Sequence, residues 1–303
     1  MPERFRRWVP RYELDMDQVV APLRRGRGDP CCRYDEGGRL WFAGNTGQGC
    51  GTLVLRRASD GTVEAKAWGD GGEILLDGLP SLLGADDDPS GFSVHHEVVE
   101  WARQRSPGLR LGATLRVWDV LIPTVLEQKV TGYEARRSWR ELCRWFGEPA
   151  PGPAPDWLRV PPTPAAIRSI PDWKWHRAGV DLSRRTALIA AARVAPRLER
   201  AVPLGGAEGR ALLRNVRGIG VWTAAEIAQR AWGDADAVSF GDFHIPAIVG
   251  HALAGRAFDD EGLRAELEPY VPQRQRAVRY LTAAGFSRPR FGPRYAPRDY
   301  RAI

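Results

Sequence analysis

A glycine turn and a lone carboxylate are the residues of this sequence whose types and spacing could do chemistry. Residues 214–224 read RNVRGIGVWTA, with Gly218 and Gly220 flanking Ile219 between two segments of helical periodicity. Glycines there can take positive φ and leave no side chain over the backbone. The amides of the turn and of the next helix's first turn then lie open. Together with the helix dipole they can hold a phosphate without reading base sequence. A glycine pair that only turns the chain between helices is the simpler alternative, and the turn contains no acid, His, Cys or Ser. Twenty residues after Trp222 comes Asp242, just ahead of a new apolar helix. Asp at that place is suited to be an N-cap, and a capping carboxylate can also be aimed into a cleft.

Other reactive side chains fit less well into a site. His244 follows Asp242 by two and reads as a surface or supporting residue. The stretch PDWKWHRAG (171–179) combines Lys174, His176 and Arg177 with two Trp. It reads as a loop that either touches nucleic acid or partly buries its Trp. Asp86, Asp87 and Asp88 are consecutive and followed by Pro, which favours a solvated loop or a helix cap over a metal site. Cys31, Cys32, Cys50 and Cys143 match neither zinc nor iron–sulfur spacing, so four reduced thiols and no metal are expected.

The elements that must position these residues are mostly helical. The chain has 303 residues, 43% hydrophobic and 27% charged, enough for two domains, or one large one, with a real core. Its formal net charge of +7 favours a polyanionic partner. The N-terminus has no apolar signal region, and no apolar run approaches the 18 or more residues of a spanning helix, so a cytoplasmic protein is expected. RLWFAG (39–44) and GTLVLRRASDGTVEAKAWG (51–69) are β-prone, with Asp60-Gly61 as a hairpin turn. From about residue 92 the periodicity is helical. Pro123 and Gly132 are expected to break or kink a long helical region over 113–147. A Pro-rich connector covers 149–164, Thr163-Pro164 starts a helix, and Ser183 is placed to cap another. The fold class is therefore mostly α with a small α+β N-terminal domain. Its expected parts are a β-rich domain over 1–91, a bundle of roughly eight helices over 92–286, and an Arg-rich mobile tail over 287–303.

LLRNVRGIGVWTA followed by DADAVSFGDF resembles the helix–hairpin–helix DNA glycosylase superfamily. That family joins a Pro-Gly-Ile-Gly hairpin and Trp-Thr-Ala to an aspartate about twenty residues later. Within that superfamily the sequence looks most like the bacterial 3-methyladenine DNA glycosylase of the inducible type. VLIPTVLEQKVTGYEA is similar to the segment carrying its Gln-Gln or Gln-Leu pair, here Gln128-Lys129. YVPQRQRAVRYL is similar to its Trp-x-Pro-Trp-Arg-Ser-x-Ala segment through Pro272, Arg274 and Ala277. The resemblance covers roughly residues 80–286 and implies a helix–hairpin–helix glycosylase bundle.

It further implies that Asp242 is the catalytic carboxylate and that Trp222, with Phe243 and Glu226, lines a base pocket. Gln128 and Lys129 would fill or flank the gap left by a flipped base. Arg217, Gly218, Ile219, Gly220, Val221 and Thr223 would hold the DNA backbone, and Arg274 would serve as a structural or Asp242-supporting residue. The implied partner is double-stranded DNA containing a damaged base, bound by a monomer at the bacterial nucleoid. No cofactor is implied beyond a monovalent cation at the hairpin carbonyls. Departures from the pattern are Arg217 in place of the hairpin proline, Lys129 where an apolar residue or Gln is usual, and Thr282 and Glu226 where aromatics are usual. The lysine that gives bifunctional members strand cleavage is replaced by Trp222, which implies a monofunctional enzyme for alkylated bases that leaves an abasic site. Those departures motivate one alternative, a monofunctional glycosylase for deaminated or mismatched bases. A non-catalytic helix–hairpin–helix DNA-binding protein is the other.

Overall fold

The computed structural model describes residues 2–288 and Asp299. Five antiparallel strands, β1 (Arg4–Trp8), β2 (Cys32–Tyr34), β3 (Leu40–Thr46), β4 (Gly49–Arg57) and β5 (Val63–Trp68), form a sheet of order β1-β5-β4-β3-β2. The expected hairpin at Asp60-Gly61 joins β4 to β5, with Gly61 at φ +84°. Alternate side chains go to opposite faces of a sheet. One face, with Leu40, Phe42, Leu53, Leu55, Val63 and Ala65, packs under α1 (Met16–Val20), α2 (Gly72–Asp77) and α3 (Leu79–Leu82). The other face presents Trp41, Val54 and Trp68. It is covered by Leu158 and Val160 from the Pro-rich connector, which is therefore docked on the sheet and carries the short pair β6 (Glu148–Pro149) and β7 (Arg159–Val160).

The remainder is helical: α4 (Glu97–Gln104), α5 (Val117–Leu126), α6 (Gly132–Phe146), α7 (Pro164–Ser169), α8 (Asp172–Arg177), α9 (Leu182–Arg193), α10 (Ala195–Leu198), α11 (Ala201–Leu204), α12 (Gly206–Arg214), α13 (Val221–Ala231), α14 (Ile245–Ala254), α15 (Asp260–Leu267) and α16 (Arg274–Ala283). Two cores organise them. The first surrounds α5, every residue of which is buried, and takes in Trp139, Leu188, Val216, Ile219 and Ile227. The second joins α4 to α14, α15 and α16 through Val99, Val249, Leu263, Tyr270 and Leu281. Among the described residues no helix is long and apolar enough to cross a membrane, and no group of His, Cys, Asp and Glu could hold a metal ion.

Several local expectations need correction. Pro123 lies inside α5 without ending it. The break comes at residues 127–131, where Lys129 takes φ +54° and Thr131 and Glu134 cap each other's amides at the start of α6. Gly132 thus opens a helix and does not kink one. The cap of α9 is Asp181, which accepts from Arg184 N, and Ser183 lies within the first turn. Asp87 is not solvated. It forms a buried ion pair with Arg276 and accepts from Leu111 N at 3.0 Å. Of the expected mobile tail over 287–303, all but residues 287, 288 and 299 lies outside the described residues.

Candidate active site and nucleic-acid interface

The hairpin between α12 and α13 is fixed from three sides. Val216 and Ile219 sink their side chains into the first core, Ile219 to 4% exposure. Gly218 takes φ +89° and lies flat on α9, where a Cβ would stand 2.6 Å from Ala187 Cβ. From the α5–α6 turn, the Gln128 amide donates to Gly218 O at 2.9 Å and to Thr223 Oγ1 at 2.8 Å. Gly220 differs from Gly218: its φ is −89°, and nothing lies within 4 Å of the place of its Cβ. Neither backbone strain nor a protein neighbour asks for glycine there, and the open side faces outward.

Gly220 is the N-cap of α13 and has no capping side chain. Ala224 N donates back to Gly220 O at 3.0 Å. The amides of Val221, Trp222 and Thr223 therefore belong to the first turn, whose donors have no intrahelical acceptor. Arg217 and Val221 are exposed beside them, and so is Lys129 across the turn held by Gln128. This is the geometry of an anion seat at a helix N-terminus.

Asp242 stands at the seam between the two helical cores, in the segment joining α13 to α14. Its Oδ1 accepts from His244 N at 2.6 Å and Ile245 N at 2.8 Å, the amides that begin α14, whose N-cap residue is His244 and not Asp242 as the sequence suggested. Its Oδ2 accepts from the Trp222 indole Nε1 at 2.9 Å. A carboxylate offers about four lone-pair sites, so three fixed donors orient it and leave one site towards solvent. Asp242 is half-buried, while Phe243 (62% exposed) and His244 flank it on the surface. The Phe243 ring meets His244 edge-on and the Arg288 guanidinium at 4.3 Å.

The segment carrying Asp242 is braced by α13. Gln229 donates to Ala237 O and to Ser239 Oγ, both at 2.8 Å. Glu226 accepts from the Ser239 hydroxyl and from Arg230 at 2.7 Å. Burial pushes the Glu226 carboxyl up, but the Arg230 charge and the hydrogen bonds from Ser239 and Arg230 outweigh it and hold it below the usual glutamate range.

The structure thus brings together Asp242, Trp222, Phe243, Gly218, Gly220, Val221, Arg217, Gln128 and Lys129 on one edge. It assigns several of them other work than the sequence implied. Glu226 has both oxygens engaged in the brace and offers none to a base. Ile219 and Thr223 are buried, at 4% and 3% exposure, so only their backbone can reach a ligand. Gln128, expected to fill or flank the gap left by a flipped base, clamps the hairpin with its amide. Trp222 spends its N–H on Asp242. Of the two roles expected for Arg274 the structural one fits: it pairs with Asp236 at 2.6 Å, not with Asp242. Sequence reasoning missed the Trp222–Asp242 bond, although their spacing was visible. It also missed Ser239 and Gln229, which carry no motif.

No family model matches this sequence, and no curated protein does. Solved structures share its fold. A 3-methyladenine DNA-glycosylase from Archaeoglobus fulgidus superposes with a TM-score of 0.76 at 15% identity, covering 93% of this chain and 99% of that one. MBOgg1 in complex with a low-affinity DNA ligand gives 0.73 at 15% identity, covering 93% and 95%. The 8-oxoguanine glycosylase/lyase of Clostridium acetobutylicum in its apo-form gives 0.69 at 11% identity, covering 90% and 94%. The mainly helical bundle with a small antiparallel sheet is thus a fold found in DNA glycosylases.

Proposed function

We propose that this chain is a monofunctional DNA glycosylase that removes alkylated bases from double-stranded DNA in base excision repair. The observation that carries the reading is the carboxylate of Asp242, oriented by three N–H donors beside a hairpin whose open amides suit a phosphate. The damaged nucleotide is turned out of the duplex to reach it. The bond between the sugar C1′ and the base nitrogen breaks, and the electron pair leaves with the base. Asp242 stabilises the cationic sugar and takes a proton from the water whose oxygen adds to C1′. A cationic alkylpurine leaves without prior protonation, so its removal asks for no general acid beside Asp242.

Strand cleavage by Schiff-base chemistry needs a lysine amine. The chain has three lysines, Lys66, Lys129 and Lys174. Lys66 pairs with Glu3 on the sheet, and Lys174 lies between the Trp145 and Trp173 rings. The hairpin position two residues past Gly220 is Trp222, and Lys129 belongs to the α5–α6 turn and not to the hairpin.

The purified protein, incubated with duplexes carrying methyladenine, ethenoadenine, hypoxanthine, 8-oxoguanine or uracil, is expected to release the alkylated base and leave an unbroken abasic strand. Asp242→Asn is expected to abolish release while duplex affinity stays within about threefold. Release of only the oxidised or deaminated bases would overturn the substrate, and a borohydride-trapped adduct would overturn the monofunctional chemistry. Excision that survives in Asp242→Asn would remove Asp242 from the mechanism.

A further inference from the structure

The outer face of α6 carries cations that the proposed site does not use. Arg136, Arg140 and Arg144 recur at every fourth residue and form one stripe of the helix. The loop before β2 lies along that stripe: a Cβ at Gly26 would stand 3.3 Å from Arg136 Cδ, and one at Gly28 3.3 Å from Arg140 Cδ. The glycines let the loop lie against the arginine stems and place Arg27 beside them, exposed. Arg33 donates to Arg27 O at 3.3 Å and lies 3.6 Å from the centre of the Trp157 ring. At the far end of the helix, Lys174 and Arg177 lie over the Trp145 ring at 4.5 and 5.5 Å.

None of these cations forms an ion pair with an acid among the described residues, whereas Arg7, Arg39 and Arg56 on the sheet are each paired. Aromatic faces and glycine backbone orient the ridge without neutralising it. Of the two acids of α6, Glu134 is committed to the cap at Thr131, and Glu141 forms no ion pair among the described residues. A ridge so arranged keeps its full charge for an external anion. α6 begins just after the turn of Lys129, one residue from the Gln128 clamp on the hairpin, and its stripe from Arg136 to Arg144 extends roughly 12 Å, the rise of about three to four base pairs.

We propose that the α6 ridge of Arg27, Arg33, Arg136, Arg140 and Arg144 binds the phosphate backbone of duplex DNA flanking the hairpin site. The inference rests on the reading of that site as one that engages DNA. Its counterpart in solution is a salt-dependent affinity, since each neutralised phosphate releases counterions.

Binding to an undamaged duplex, followed by fluorescence anisotropy over a salt series, tests it. The variant Arg136→Gln/Arg140→Gln/Arg144→Gln is expected to bind roughly 10- to 100-fold more weakly at 0.1 M salt, with a log–log salt slope shallower by roughly two to three. The equal-charge control Arg7→Gln/Arg39→Gln/Arg56→Gln is expected to keep the wild-type slope. Arg144→Glu, clear of the docked loop, is expected to weaken binding severalfold even if the triple variant fails to fold. Wild-type affinity and slope in a folded triple variant, or a loss confined to vesicles of anionic phospholipid, would overturn the proposal. The two readings fail separately. Excision with unchanged binding in the variants removes the ridge and leaves the glycosylase, and wild-type binding that drops in the variants without any excision does the reverse.

Discussion

Trp222 shows how one side chain can be placed by sequence and given its task by geometry. Its indole N–H is the one side-chain donor to Asp242 among the described residues; the other two donors are the amides that begin α14. A hydrogen bond to a charged acceptor contributes about 1.5–3 kcal/mol. Trp222→Phe keeps an aromatic ring but removes the donor. The single-turnover excision rate of the variant is expected to fall roughly tenfold to a hundredfold, with DNA affinity changed little. Equal rates for the two proteins would show that the backbone amides alone orient the carboxylate. Glu226, one turn further along α13, holds Ser239 and with it the segment that carries Asp242. It serves the same carboxylate through the loop.

At the scale of elements, the hairpin contains two glycines kept for different reasons. Gly218 needs its positive φ and its contact with Ala187. Gly218→Ala is expected to cost roughly 2–5 kcal/mol in urea unfolding, from left-handed strain and overpacking together. Gly220 needs neither. Gly220→Ala is expected to leave stability within about 1 kcal/mol and to weaken duplex binding, because a methyl group would occupy the open side of the first turn of α13. If Gly220→Ala binds like the wild type, the phosphate does not sit there. The α5–α6 turn is coupled to this element by Gln128, and to the N-terminal region by the Glu127–Arg25 ion pair at 2.8 Å. One turn thus carries the clamp and the exposed Lys129, and leads into the helix of the arginine ridge.

Across the whole molecule, the sheet and the two helical cores are tied by buried charge. Arg276 of the second core and Asp87 of the loop leading to it have side chains 2% and 3% exposed. Removing one partner of such a pair leaves the other charge buried and typically costs 3–5 kcal/mol. Asp87→Ala is expected to lower unfolding stability by about that amount while excision per folded molecule is retained at low temperature. A variant as stable as the wild type would show that Arg276 finds water or another acceptor. Because Asp242 stands at the seam of the two cores, relative movement of the cores would shift Trp222 against Asp242, and the braces from Gln229 and Glu226 oppose it.

The linear sequence by itself determined the helical character beyond residue 92, the β-prone N-terminal third, the turn at Gly218–Gly220 and the place of Asp242 just ahead of a helix. All of these follow from period, turn chemistry and local spacing, which need no knowledge of distant neighbours. Only the tertiary structure decided that Gln128 clamps the hairpin, that Glu226 braces a loop, that Arg274 serves Asp236, and that Asp87 is buried. Each of those roles depends on a partner brought from a distant part of the chain or from the far side of a loop. A side chain's type limits the bonds it can make, and the packing around it selects which of them is made.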